Sequence, residues 1–262
     1  MSLWHQTSGR EGIPLVLIHG WGMNAAVWQP LLEKLQPHYQ VTCIDLPGHG
    51  QSPLSPDHVS LQDWATAVLE SVPDRAIWLG WSLGGLIALQ AALINPQKIR
   101  GLLMMTATPC FAQRDDWQAA MPQKTLQQFA ANLQADPQGT LMRFLALQVN
   151  GCDHSRELLK QLKQSFAAKP AASNAALQAG LEFLQQADLR TGLKLLQVPL
   201  EWILGAKDTL VPGRLQQALH QLDRRIVVTL LESAGHVPFF SHSDECLQVL
   251  RRLAENTQSA QT

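Results

Sequence analysis

Charge is scarce in this sequence. Lys, Arg, Asp and Glu make up 16% of its 262 residues, against about a quarter in an average soluble domain, and they cancel to a formal net charge of -1. The molecule as a whole therefore has no strong attraction for nucleic acid or an anionic lipid surface, and such a partner would need a local patch. Cysteine is sparse and scattered. Cys43, Cys110, Cys152 and Cys246 share no paired spacing, which excludes a disulfide frame or zinc motif and predicts free thiols in a reducing compartment. No apolar run approaches the roughly 20 residues that span a bilayer. The start, Met1 to Gly9, lacks a basic segment followed by an apolar one, so no secretory signal is read there. These absences predict a soluble cytoplasmic protein.

Apolar residues are plentiful, at 46%, and the length suits one large α/β domain or a core with one insertion. The apolar residues gather in short, nearly continuous runs: Leu15–Ile18, Val41–Ile44, Ala76–Leu79, Leu102–Met105, Leu200–Leu204 and Ile226–Leu230. Weak alternation is expected of strands covered by helices on both faces, so a parallel sheet is predicted. Helical patterns lie between the runs. Ser60 and Asp63 have capping-box spacing ahead of Trp64, Ala67 and Val68, and an Ala/Leu-rich stretch from Leu83 to Ile94 stops at Asn95-Pro96. The rhythm breaks between about Phe111 and Arg190, which is rich in Gln, Ala and Leu and reads as several helices without strands. The predicted organisation is thus a core of 1–110 and 191–262 with a helical cap over 111–190. The tail from Glu255 to Thr262 is expected to fray.

Gly80-Trp81-Ser82-Leu83-Gly84 fits G-x-S-x-G between a predicted strand and a predicted helix. The glycines remove Cβ atoms that would clash in a sharp turn, leaving the serine strained with its hydroxyl raised above the sheet. Alone, the pattern also fits a Gly-rich turn with an incidental serine. A serine alcohol needs a base to take its proton, and that base needs an orienting acid. Asp208 follows the run Leu200–Leu204, and His236 follows Ile226–Leu230. Singly, Asp208 could cap a loop and His236 could be a surface residue. Together, each just past a strand, they make the order Ser, Asp, His. A glycine-flanked turn, His19-Gly20-Trp21-Gly22, follows the first run. It can turn the Trp21 N–H toward the serine, opposite that of Leu83, as a two-donor oxyanion hole. His19 itself reads as a packing or hydrogen-bonding residue.

With Asp45-Leu-Pro-Gly-His-Gly-Gln-Ser52 added, these motifs resemble the α/β-hydrolase superfamily over essentially the whole chain. The resemblance implies an α/β-hydrolase fold: a mostly parallel central sheet flanked by helices, with a helical cap inserted after the sixth strand. More narrowly, Leu17–Asn24, Ala76–Gly85, Pro109-Cys-Phe111 and Arg143–Gln148 resemble the pimeloyl-[acyl-carrier protein] methyl ester esterases of biotin synthesis. That resemblance implies acyl transfer to water, with Ser82, Asp208 and His236 catalytic and no metal or organic cofactor. It implies a substrate site lined by Trp21, Ser82, Leu83, Phe144, Leu145, Ala146, Leu147, Gln148 and His236. It also implies acyl carrier protein bearing a pimeloyl methyl ester as partner; a monomer is expected. The alternative for Phe144, Leu145 and Leu147 is plain helix core, a reading that fits the two leucines as well.

On a predicted helix over Ser155–Phe166, Arg156, Lys160 and Lys163 recur at i, i+4 and i+7, apart from Leu158, Leu159, Leu162 and Phe166. Apart from the resemblance such a stripe reads first as a solvated helix face; with it, the stripe and Arg143 could steer an acidic carrier protein. Family members use arginine in this region, so Lys160 keeps the charge but loses bidentate pairing. The competing readings are a general carboxylesterase or thioesterase on free or coenzyme A esters, a carbon–carbon hydrolase with the same catalytic set, and a non-catalytic hydrolase-fold binding protein. A dehalogenase is disfavoured, because its nucleophile is a carboxylate.

Overall fold

Seven strands form one sheet in the computed structural model of the chain, which describes residues 2–259. In chain order they are β1 (His5–Ser8), β2 (Ile13–Ile18), β3 (Tyr39–Ile44), β4 (Ala76–Trp81), β5 (Ile99–Met105), β6 (Leu200–Gly205) and β7 (Val227–Leu231). The helices are α1 (Gln29–Leu35), α2 (Leu61–Ser71), α3 (Leu83–Ile94), α4 (Gln123–Ala135), α5 (Pro137–Gln148), α6 (Ser155–Ala167), α7 (Asn174–Gln186), α8 (Arg190–Leu193), α9 (Leu215–Leu222), α10 (Pro238–Ser241) and α11 (Ser243–Ser259). The sheet order is β1-β3-β2-β4-β5-β6-β7. Only β1 runs antiparallel to its neighbour.

All six apolar runs are strands. The unforeseen β1, His-Gln-Thr-Ser, has no apolar signal and is mostly exposed; pairing with β3, not burial, makes it a strand. In chain order the long helical stretch follows the fifth strand rather than the sixth, because a single strand precedes β2. Successive strand residues feed opposite faces of the sheet. Val16, Ile18, Trp78, Leu102 and Met104 join a core with α2 and α3. Leu15, Leu17, Ile77, Leu79, Leu103 and Met105 join a second core with α1 and α11. Both faces are therefore dry, which is why these strands lack alternation.

The expected capping box closes the start of α2: Ser60 Oγ accepts the Asp63 N–H, and Asp63 Oδ2 accepts the Ser60 N–H at 2.8 Å. Between β5 and β6 the chain forms α4 to α8 and no strand beyond two isolated bridges. The tail is helical through Ser259, where fraying was expected from Glu255; residues 260–262 lie outside the described residues. All four cysteines are free and buried. Among the described residues, no helix is long and apolar enough to cross a membrane.

The strand order reverses at β2. The chain steps from β2 outward to β3, then returns to place β4 on the other side. The loops after β2 and β4 thus diverge and leave a crevice at the carboxyl ends of the strands, the usual place for a ligand in an open α/β sheet.

Candidate active site

β4 ends at Trp81 and α3 starts at Leu83, so Ser82 alone makes the turn. Its backbone sits at φ 55°, ψ -119°, a region that costs a residue with a side chain about 1–3 kcal/mol. The surrounding glycines make the bend possible. A Cβ at Gly80 would run into the backbone of Gly84 and Gly85, and one at Gly84 into the carbonyl oxygens of Ile18 and His19. The Ser82 hydroxyl makes no capping hydrogen bond to α3, and the side chain is only 4% exposed.

Asp208 and His236 meet just past the ends of β6 and β7. His236 Nδ1–H donates to Asp208 Oδ2 at 2.7 Å, and both groups are buried. Asp208 Oδ1 accepts the backbone N–H groups of Leu210 at 2.8 Å and Val211 at 3.0 Å, which fixes the carboxylate. The two loops abut because residue 205 is glycine; a Cβ there would strike the carbonyls of Ala234 and Gly235. The His236 backbone is held at both ends. Its carbonyl accepts Trp81 Nε1–H at 2.8 Å and Thr106 Oγ1–H at 2.9 Å, and its N–H donates to the Gln148 carbonyl at 3.1 Å. Trp81 thereby ties the histidine loop to the strand that carries Ser82. His236 Nε2 is buried and has no hydrogen-bond partner among the described residues, so the hydroxyl and the imidazole are not yet bonded. Catalytic hydrogen bonds commonly tighten only when substrate arrives.

The turn after β2 passes over Ser82: a Cβ on Gly20 would lie 3.3 Å from the Ser82 Cβ. His19 organises this turn. Its Nε2 accepts the Leu46 N–H at 3.0 Å, so Nδ1 carries the proton and donates to the Gly20 carbonyl at 2.8 Å. Gly20 C=O and Trp21 N–H share one planar trans peptide and point in opposite directions; holding the carbonyl aims the N–H. His49 Nε2 accepts the Gly22 N–H at 3.3 Å. Burial pushes His19 down to about 4 and His49 to about 3, keeping both imidazoles neutral. Neither the Trp21 nor the Leu83 backbone N–H has a protein acceptor among the described residues. The sequence anticipated His19 as a hydrogen-bonding residue but gave no sign of His49 as its companion.

A cavity of about 550 Å³ opens from Ser82 beneath the helices, lined by Trp21, Phe129, Phe144, Leu147, Leu181 and Leu184 among others. Trp21 Nε1–H donates to the Leu177 carbonyl at 2.8 Å, and Phe129 and Phe144 stack edge-on to its ring. Of the anticipated substrate residues, Trp21, Ser82, Phe144 and Leu147 border the cavity. The helical period sends their neighbours elsewhere. Leu145 packs into the core with Val149 and Leu158, and Ala146 faces solvent. Leu83 is buried at the first turn of α3. Gln148 is buried under the histidine loop with its side-chain amide unpartnered. Sequence reasoning missed the α4 and α7 contributions; the apolar spacing of Leu126, Phe129 and Leu133, and of Leu177, Leu181 and Leu184, was the available signal.

Arg156, Lys160 and Lys163 are exposed on α6, with Leu158 and Leu162 buried on the other side. Leu159 lines the same shallow surface groove as the three cations. Arg143 is exposed on α5 and pairs with Asp136, 3.4 Å away.

A family model described as Alpha/beta hydrolase family matches residues 15–249. The pimeloyl-[acyl-carrier protein] methyl ester esterase of Xylella fastidiosa (strain M23) is 43% identical over 243 residues, covering 92% of this chain and 94% of the relative. That of Pectobacterium atrosepticum is 42% identical over 244 residues, covering 93% and 94%. Among solved structures, an esterase from Exiguobacterium antarcticum superimposes with a TM-score of 0.83 at 22% identity, over 98% of this chain and 95% of that one.

Proposed function

The chain belongs to the alpha/beta hydrolase family, and from that premise we propose that it is a serine carboxylesterase that removes the methyl ester from pimeloyl-[acyl-carrier protein], freeing the carboxylate for biotin synthesis. The observation that carries the chemistry is a strained, uncommitted serine lining an apolar cavity, just past the strand whose last residue, Trp81, hydrogen-bonds the backbone of the histidine of a buried His–Asp pair. The substrate is carried by relatives of that name at 42–43% identity over more than nine-tenths of the chain.

His236 Nε2 takes the Ser82 proton as Oγ attacks the ester carbonyl. Asp208 holds the imidazole in the Nδ1–H tautomer and stabilises the imidazolium. The carbonyl π electrons move to oxygen, and the Trp21 and Leu83 N–H groups receive the oxyanion; such a donor typically contributes about 2.7–4 kcal/mol. As the tetrahedral species collapses, the acyl–oxygen bond breaks and methoxide leaves as methanol with the proton from His236. Water, deprotonated by His236, then attacks the Ser82 ester; the acyl–Oγ bond breaks, His236 returns the proton to Ser82 Oγ, and the freed carboxylic acid ionises to the pimeloyl carboxylate. The helices over 111–190 act as a cap whose apolar underside holds the linear chain, a fitting environment for a mostly apolar ligand. The stripe Arg156, Lys160 and Lys163, together with Arg143, meets the acidic carrier.

The test is growth. The gene should restore a biotin auxotroph that lacks this esterase step, and the Ser82→Ala variant, equally folded, should fail. Purified enzyme that hydrolyses small free esters but neither restores growth nor acts on the carrier-bound ester would favour a general carboxylesterase.

A further inference from the structure

The end of α6 and the link to α7 make a group of polar contacts with the loops after β2 and β3, the first of which passes over Ser82. Asn24 Nδ2–H donates to the Phe166 carbonyl at 3.1 Å, and Ser173 N–H donates to the Gly48 carbonyl at 2.9 Å. Between these lies the only charged contact of the group: Lys169 Nζ–H donates to Asp45 Oδ2 at 2.9 Å, with the two side chains 13% and 0% exposed. The ammonium also sits over the Trp4 ring, 2.9 Å from its centroid. Burial lowers the lysine below its ordinary range, against the pull of Asp45. A cation from the helical layer has therefore been drawn under the surface to reach one carboxylate.

That carboxylate binds both loops. Asp45 Oδ1 accepts the Ala25 N–H at 2.7 Å, where the turn after β2 ends, and Oδ2 accepts the Gln51 N–H at 2.9 Å. Within the same loop pair His49 holds Gly22, and His19 bridges Leu46 and Gly20. Trp21, whose N–H is the proposed oxyanion donor, is thus suspended between anchors that depend on where Asp45 sits. Its own indole is tied to α7 through Leu177.

We propose that Lys169 is a positioning residue: by holding Asp45 from the helical layer, it sets the loop that presents the Trp21 N–H, so that seating of the cap completes the oxyanion hole. The inference rests on the hydrolase reading above and adds a dependence of the chemical step on a residue that touches no substrate. A lysine serving stability alone would change the melting point without changing turnover by the folded enzyme.

The experiment uses Lys169→Met, which keeps an unbranched chain against Trp4, and Lys169→Arg as the conservative control. On a short free methyl ester, Lys169→Met should lower kcat by about tenfold or more, short of the 10²–10³ that follows complete loss of an oxyanion donor, with KM changed less than about twofold. The Ki of an alkylboronic acid, whose tetrahedral serine adduct occupies the oxyanion hole, should rise by a similar factor. Lys169→Arg should recover part of both. Wild-type kcat and boronate affinity in folded Lys169→Met would overturn the proposal, as would a loss confined to KM. If Lys169→Met does not fold, Asp45→Asn decides on the same two readouts. Failure of the wild-type protein to hydrolyse any ester would sink the hydrolase reading and this one with it, whereas an active wild type with an unaffected variant sinks only this one.

Discussion

Ser82 shows how one backbone angle can oppose stability to chemistry. At φ 55° and ψ -119° the residue carries strain of about 1–3 kcal/mol that glycine would not feel. Ser82→Gly should therefore raise the free energy of unfolding by about 1 kcal/mol, after allowing about 0.5–1 kcal/mol for glycine's extra freedom in the unfolded chain. Urea titration checks this; a variant less stable than wild type would remove strain from the account of this turn. The bend was legible because its glycines are a steric necessity and glycine is visible in a sequence. Asp208 and His236 were legible by position, each just past a strand. The clamps that aim His236 were not: Trp81 reads as strand core, and nothing in its neighbours announces that its indole N–H ends on a carbonyl 155 residues away.

At the scale of elements, strands and capped helices declare themselves and loops do not. The capping box of α2 and the limits of α3 appear in local spacing. The loop pair after β2 and β3 is held by side chains meeting across the fold, which local patterns do not encode. Its two neutral histidines give the pair a pH signature. Folded His19 and His49 titrate near 4 and 3, whereas an unfolded histidine titrates near 6.5. Below about pH 6.5 the unfolded chain binds protons that the folded one refuses, so stability falls as pH drops, by up to about 1.4 kcal/mol per unit per histidine. The loss continues to about pH 4 for His19 and about pH 3 for His49, and vanishes above neutrality. The carboxylates shifted below their ordinary value, Asp63, Asp116, Asp188 and Asp223, add a further loss that sets in only as pH falls toward about 4 and so overlaps the acid end of that window. Calorimetric melting between pH 7.5 and 4.5 should show the decline, and His49→Gln should flatten it. A melting point constant from pH 6.5 to 5 would contradict neutral burial.

For the whole molecule, near-zero net charge leaves recognition to local patches. Reversing Arg156, Lys160 and Lys163 to glutamate should lower kcat/KM on the carrier-bound ester by about tenfold at low ionic strength and leave a small free ester unaffected. The wild-type rate on the carrier-bound ester should fall as salt screens the approach. Equal effects on both substrates would deny the stripe a docking role. The stripe was legible because charge at helical spacing is a surface pattern. The cavity was less so, since Leu126, Phe129, Leu181 and Leu184 read as ordinary amphipathic packing until two helices are seen to leave a gap between them.

The path between β5 and β6 has an architectural corollary. Parallel neighbours begin at the same rim, so a chain leaving Met105 must travel the full height of the sheet to restart at Leu200. The roof over Ser82 is also that staircase, and its last flight, α8, rests on the end of α3, where Gly192 packs against Leu93. Excising the roof would sever the building, but refurnishing it would not. A replacement that keeps α8 and its descent could admit a different acyl guest while the hydroxyl, imidazole and carboxylate beneath stay as they are.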